Sequence, residues 1–157
     1  MNKYVLSVLV ENHSGVLSKV SGLFSRRGYN IDSLTVGITD DPNLSRMTIM
    51  ITGDEQMLEQ INKQLNKLVD VIKIQELSPK AVCRELALVK VNANASNLSL
   101  IKEAVNVFRG SIVDMDSKSL MVEITGVEDK VTAFIDYVRP YGIKEIVRTG
   151  LTGLERG

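Results

Sequence analysis

Side chains able to do covalent or acid–base chemistry are few in this sequence. His13 is the one histidine and Cys83 the one cysteine, and no serine motif or carboxylate pair stands at a spacing that would build a triad around either. A general base needs an oriented partner, so His13 reads as a solvated turn residue. Cys83, at the start of the second half, reads as a small apolar residue. Asp40 and Asp41 offer carboxylates to a metal ion, but Asp40-Asp41-Pro42-Asn43 has the composition of a turn. Gly150-Leu151-Thr152-Gly153 is too short for a phosphate loop. The residue types point away from an enzyme, with no metal site and no catalytic residue.

Binding chemistry is better supplied, by Asn12-His13-Ser14-Gly15-Val16-Leu17. Free backbone N–H groups at a helix start, together with the positive end of the helix dipole, suit a carboxylate. Gly15 has no Cβ to obstruct close approach. The Asn12 amide can accept from an ammonium group and donate to a carboxylate. A structural reading stands beside this one: Asn12 or Ser14 caps the helix and Gly15 turns the chain. Asn30 opens the next strand, so a second amide from a neighbouring or symmetry-related module could complete a pocket for a small zwitterion. The matching stretch of the second half, Asn92-Ala93-Asn94-Ala95-Ser96-Asn97, is polar but lacks glycine, which makes the first module the better candidate.

The elements that must position these residues are legible from periodicity. Residues 4–11 are rich in β-branched and aliphatic side chains and read as a strand buried on both faces. Val16, Leu17, Val20, Leu23 and Phe24 recur at helical spacing, and Gly28 is a suitable left-handed cap. Strands follow at 30–39 and around Met47, Ile49 and Ile51, then a helix capped by Asp54 and a strand over 69–77. After Ser78-Pro79-Lys80 the order recurs: strand 85–92, helix 98–108, strands 111–116 and 119–125, helix 128–138, strand 144–149. Ile51-Thr52-Gly53 and Ile124-Thr125-Gly126 stand at equivalent places, as do Phe24 and Phe108. The chain therefore reads as α+β, two tandem β-α-β-β-α-β modules of roughly 75 residues each. In each, right-handed crossovers should put both helices on one face of an antiparallel sheet and leave the other face open. Modules this small bury only about 60% of their unfolded surface and have reason to pair.

Composition excludes several classes. Nineteen Lys plus Arg balance nineteen Asp plus Glu, against a nucleic-acid binder that needs a basic face. The β-α-β-β-α-β order also builds an RNA-recognition module, but the strand Met47-Thr48-Ile49-Met50-Ile51 has no aromatic on which a base could stack. The apolar stretch at 4–10 is interrupted by Ser7, far short of the roughly 20 residues that cross a bilayer. With only Lys3 before it and no small-residue cleavage site after it, it is no signal peptide. A lone cysteine is compatible with a cytoplasmic location.

The sequence is also similar to a known family. Leu6-Ser7-Val8-Leu9-Val10-Glu11-Asn12, Ser14-Gly15-Val16-Leu17, Gly22-Leu23-Phe24-Ser25-Arg26-Arg27-Gly28-Tyr29-Asn30-Ile31 and Leu44-Ser45-Arg46-Met47-Thr48 resemble the small, regulatory subunit of bacterial acetolactate synthase (acetohydroxyacid synthase). So do Gln64-Leu65-Asn66-Lys67-Leu68-Val69-Asp70-Val71, Arg84-Glu85-Leu86-Ala87-Leu88-Val89-Lys90 and Phe108-Arg109-Gly110. The resemblance implies an ACT domain over 1–77, a linker at 78–82 and a C-terminal ferredoxin-like domain over 83–157. It implies a homodimer through the ACT domains, with valine or a related branched-chain amino acid bound between them. Carried over by residue, the effector would be held by Asn12, Ser14, Gly15, Val16 and Leu17 of one chain and by Asn30 and Ile31 of the other. The partner implied is the larger catalytic subunit, which uses thiamine diphosphate, magnesium and FAD, while this chain needs no cofactor. The alternative is a stand-alone amino-acid-sensing ACT protein that regulates another enzyme or transcription.

Overall fold

Leu6, Val8 and Val10 alternate along β1 (Asn2–Glu11) and are buried, and Leu6 and Val8 lie opposite Ile49 and Met47 of β3 (Leu44–Gly53). All 157 residues are described in the computed structural model, which divides into two units, Met1–Val82 with Leu151–Gly157, and Cys83–Gly150. In the first unit the sheet runs β2-β3-β1-β4, with β2 at Ile31–Ile38 and β4 at Val71–Glu76, and its pairs are antiparallel. The helices α1 (Val16–Arg26) and α2 (Glu55–Asn66) turn Val16, Val20, Leu23, Phe24, Leu58, Ile61 and Leu65 toward one core shared with Leu6, Val8, Met47, Ile49 and Ile51. Those helical positions fall three or four apart, which places them on one stripe.

Local signals set the helix limits. Asp54 accepts from the Met57 N–H at 2.8 Å and begins α2. Gly28, at φ 69°, takes the left-handed conformation just beyond α1. Asp54→Ala is expected to cost about 1 kcal/mol of stability, seen as a lower urea midpoint with an unchanged slope.

The second unit repeats the order with β5 (Val82–Asn92), α3 (Leu98–Val107), β6 (Ser111–Met115), β7 (Ser119–Gly126), α4 (Glu128–Val138) and β8 (Ile143–Arg148), in the sheet order β6-β7-β5-β8. Ala87, Val89, Val91, Ile101, Leu120, Val122, Ile124 and Phe134 build its core. The Phe108 ring meets that of Phe134 edge-on, with centroids 5.5 Å apart and planes at 75°. Arg148 of β8 pairs with the buried Glu85 of β5. The tandem α+β architecture is thus as the periodicity predicts.

Leu151–Gly157, which follow the second half in sequence, pack with the first unit, and one expectation, the open sheet face, needs correction. The Leu151 N–H donates to Ser33 Oγ at 2.7 Å, the Ser78 N–H donates to Glu155 at 2.8 Å, and Arg156 Nε donates to the Lys80 carbonyl at 2.7 Å. Within this segment a short strand, β9 (Thr152–Leu154), forms. As a consequence, the sheet face opposite the helices in this unit is not open. Ser7 and Thr48 on that face are each 2% exposed, and Leu154 and Glu155 wall a cavity of about 190 Å³ there with Ser7, Arg46, Lys73 and Gln75. Arg46 Nη1 satisfies the buried Ser7 hydroxyl at 2.7 Å.

Candidate functional site

The loop between β1 and α1 leaves a helix start without a cap. Gly15, at φ 89°, stands in the N-cap position, no side chain bonds the N–H groups of the first turn, and no acidic residue lies in that turn. The first N–H groups of a helix have no intrahelical acceptor, and the dipole places about half a positive charge there. A Cβ built on Gly15 would meet nothing within 4 Å, so there is open space at the Gly15 position itself. The capping role the sequence allowed Asn12 or Ser14 is not what forms. Asn12 instead donates its side-chain amide to the Pro42 carbonyl at 2.9 Å and its N–H to the Asn43 carbonyl at 2.7 Å. These bonds fasten the loop to the Asp40-Asp41-Pro42-Asn43 turn, where Asp41 accepts from the Asn43 N–H at 2.9 Å.

The expected site residues divide by place. Asn12, Ser14, Gly15, Val16 and Leu17 are contiguous at this loop. Val16 is only 3% exposed and packs into the core, so it can offer a backbone N–H but no side-chain contact, whereas Leu17 is 45% exposed. Asn30 and Ile31 lie past the other end of α1. Eleven residues of helix put them on the order of 16 Å from Gly15 along the axis. One chain therefore does not bring the two groups together. Asn30 is exposed, and the Ile31 side chain rests half-buried against the first core.

His13 is an exposed turn residue, as its sequence context suggests, but one with partners. Its Nε2 lies 2.9 Å from Asp70 Oδ1 and 3.2 Å from Glu11 Oε2, its Nδ1 lies 3.2 Å from the Ser14 carbonyl, and Lys19 Nζ reaches Asp70 Oδ2 at 2.8 Å. The Ser14 carbonyl first and the Glu11 carboxylate next, with lesser help from Asp70, hold the His13 imidazole above its ordinary value of 6.5 against the opposing effect of burial. The Lys19 ammonium, its charge and His13 hold Asp70 below the ordinary carboxylate range. The signs follow: the stability His13 contributes is complete below its unfolded value and is lost as pH rises through the higher folded one. That of Asp70 is complete above its unfolded value and is lost as pH falls through the lower folded one. Stability measured against pH should therefore fall on both flanks, with His13 setting the alkaline one.

Comparison with known proteins shows the family. Residues 6–73 match the family described as AHAS small subunit-like ACT domain, and residues 84–157 match the small subunit of acetolactate synthase. The chain belongs to the acetolactate synthase small-subunit family. It is 51% identical over 155 residues to the acetolactate synthase small subunit of Mycolicibacterium smegmatis, covering 98% of this chain and 91% of that protein. It is likewise 51% identical over 155 residues to the acetolactate synthase isozyme 3 small subunit of Escherichia coli, covering 98% and 95%. The crystal structure of the acetolactate synthase small subunit from Thermotoga maritima superposes with a TM-score of 0.94 at 42% identity, covering 100% of this chain and 99% of that one. No helix of this small-subunit homologue is long and apolar enough to cross a membrane.

Within the small-subunit fold the two modules differ at equivalent loops. Between β5 and α3, Asn94 Oδ1 accepts from the Ser96 and Asn97 N–H groups at 2.9 and 3.1 Å, and Asn97 Oδ1 accepts from the Asn94 N–H at 2.8 Å. The second loop thus spends the N–H groups of Asn94, Ser96 and Asn97 internally, while the start of α3, like that of α1, carries no side-chain cap and no acidic residue in its first turn. Asp70 and Lys19 were not found by sequence reasoning, because Asp70 lies 57 residues from His13 and nothing local links them.

Proposed function

We propose that this chain is the regulatory subunit of an acetolactate synthase: it binds and activates the thiamine-diphosphate-dependent catalytic subunit and confers feedback inhibition by valine or another branched-chain amino acid. Thiamine diphosphate, magnesium and FAD belong, in this reading, to the catalytic subunit, and this chain performs no chemistry of its own. The observation that carries the effector site is the uncapped start of α1, with open space at Gly15 and no acidic residue in its own first turn. A zwitterion would place its carboxylate on those N–H groups. Pairing through the first units accounts for the second half of the site. Ser18, Ser21, Gly22 and Ser25 share one side of α1 at spacings of three and four and let a second α1 approach closely. Two such helices laid antiparallel bring Asn30 and Ile31 of one copy to the Gly15 loop of the other.

Linkage fixes the direction of control. The effector must bind more tightly to the low-activity arrangement than to the active one, and a coupling of about 1 to 3 kcal/mol is the usual size. Leu17 and Ile31 would select an aliphatic side chain. Burying one is worth roughly 1.5 to 3 kcal/mol, while one methylene discriminates by about 1 to 3, so valine, leucine and isoleucine should compete.

Calorimetric titration with valine, followed by acetolactate formation with the matching catalytic subunit with and without valine, tests this reading. Binding, activation and valine-dependent loss of activation are expected; absence of both binding and activation would overturn it. Asn30→His should crowd the opposite wall and raise the valine concentration for half-inhibition about tenfold or more, with activation retained. Unchanged sensitivity would move the site elsewhere. A stand-alone sensor of the same fold would bind valine yet leave acetolactate formation unchanged.

A further inference from the structure

The three groups facing the His13 ring are all acceptors: the Ser14 carbonyl at Nδ1, and the Glu11 and Asp70 carboxylates at Nε2. A neutral imidazole carries one N–H and one lone pair, so in either tautomer one of its nitrogens would turn a lone pair toward an acceptor. Only the imidazolium donates on both sides. The charges about it are then two anions, Glu11 and Asp70, and two cations, His13 and Lys19, so the cluster closes on itself. Its members come from four places: Glu11 from the last position of β1, His13 from the loop, Lys19 from α1, and Asp70 from the turn before β4. Backbone bonds reinforce it, the Glu11 N–H to the Asp70 carbonyl at 2.9 Å and the Lys19 N–H to the Gly15 carbonyl at 3.0 Å. The loop residues Asn12 to Gly15 are held between these anchors.

From this geometry we infer that His13 is a positioning residue for the effector. Its imidazolium clamps the loop so that the N–H groups at Gly15 stand ready, and effector affinity therefore falls as that proton is lost. The inference rests on the effector reading above and adds the group that tunes it. Burial of Asp70, the least exposed member of the cluster, makes it the fixed post to which both cations are tied. The expected sense is tighter effector binding on the acid side of the His13 transition and weaker binding above it.

The single histidine makes the test clean. The imidazole carbon-bound protons give one resonance pair to follow by NMR, and the Ser14 and Gly15 amides report the loop. In the wild-type chain without effector, His13 should titrate above 6.5, with the Gly15 amide following the same curve. Asp70→Asn should move both transitions toward the ordinary value. A Gly15 amide indifferent to the His13 titration would overturn the clamp. Calorimetry with L-valine then reads the coupling. Between about pH 6 and about pH 8 the wild-type affinity should fall about fivefold or more, and His13→Gln should bind weakly at both and show no such fall. Equal wild-type affinity at both pH values would overturn the coupling even with the titration as expected. Absence of valine binding at every pH would overturn the effector reading, while the NMR titration would still decide the clamp.

Discussion

Gly15→Asp is expected to abolish inhibition by the effector while leaving activation of the catalytic subunit in place. The position holds φ 89°, a conformation that most side chains resist but that aspartate adopts more readily than most, and an added Cβ meets nothing within 4 Å. The chain should therefore fold. The new carboxylate would stand beside the α1 N–H groups, where the effector carboxylate is proposed to bind, and compete with it for their positive potential. An effector carboxylate arriving there would face a like charge at about 4 Å, which costs about 4 kcal/mol at an effective dielectric of 20. At about 1.4 kcal/mol per factor of ten, affinity should drop by more than about 100-fold. Gly15→Ala separates the causes, because it keeps the conformational strain and adds no charge; it should weaken valine much less. The measurement is the valine concentration for half-inhibition of the reconstituted enzyme, with activation in the absence of valine as the control. A Gly15→Asp subunit that stays as valine-sensitive as the wild type would remove the α1 start from the site.

Why this much could be read in advance, and no more, follows from where each signal resides. Leu6, Val8 and Val10, or Val20, Leu23 and Phe24, declare their element by spacing alone, because the side-chain period of a strand or a helix is a local property. Gly28 and Asp54 mark helix limits by conformational freedom and by hydrogen bonding, both local too. Ile51-Thr52-Gly53 and Ile124-Thr125-Gly126 expose the duplication. The errors are all tertiary. Ser7 and Thr48 are polar residues on the face turned from the helices, which reads as a solvated face until Leu151 and its neighbours are laid across it. Val16 sits beside Gly15 in sequence and looks like part of a ligand wall, but the helical turn points it inward. His13 shows no partner in the sequence because Asp70 lies 57 residues away along the chain. The uncapped α1 start is also undecidable from sequence: Asn12 is a competent cap by type, and only the fold puts Gly15 at the N-cap position and the Asn12 amide nitrogen on the Pro42 carbonyl.

Phe134→Ala should have the largest effect on stability. The side chain is fully buried at the centre of the second unit's core, among residues of both helices and the sheet, and its ring is one half of the edge-on pair with Phe108. Truncating a buried phenylalanine removes its transfer free energy and leaves a cavity, together about 3 to 5 kcal/mol. The aromatic pair accounts for about 0.5 to 1.5 of the interaction beyond area burial. Phe108→Leu isolates that smaller part, since Phe108 is only partly buried and leucine keeps most of its apolar volume; it should cost about 1 kcal/mol. Small domains have about 5 to 15 kcal/mol in total, so Phe134→Ala removes a large fraction of what holds Cys83–Gly150 together. With a urea slope of about 1 to 3 kcal/mol/M, the midpoint of this unit should fall by at least about 1 M, read by circular dichroism. A fall no larger than that of Phe108→Leu would mean the core closes over the gap. The functional consequence separates the two modules. Calorimetric binding of valine, which in the proposed reading depends on the Gly15 loop of the first unit, should persist while the second unit unfolds.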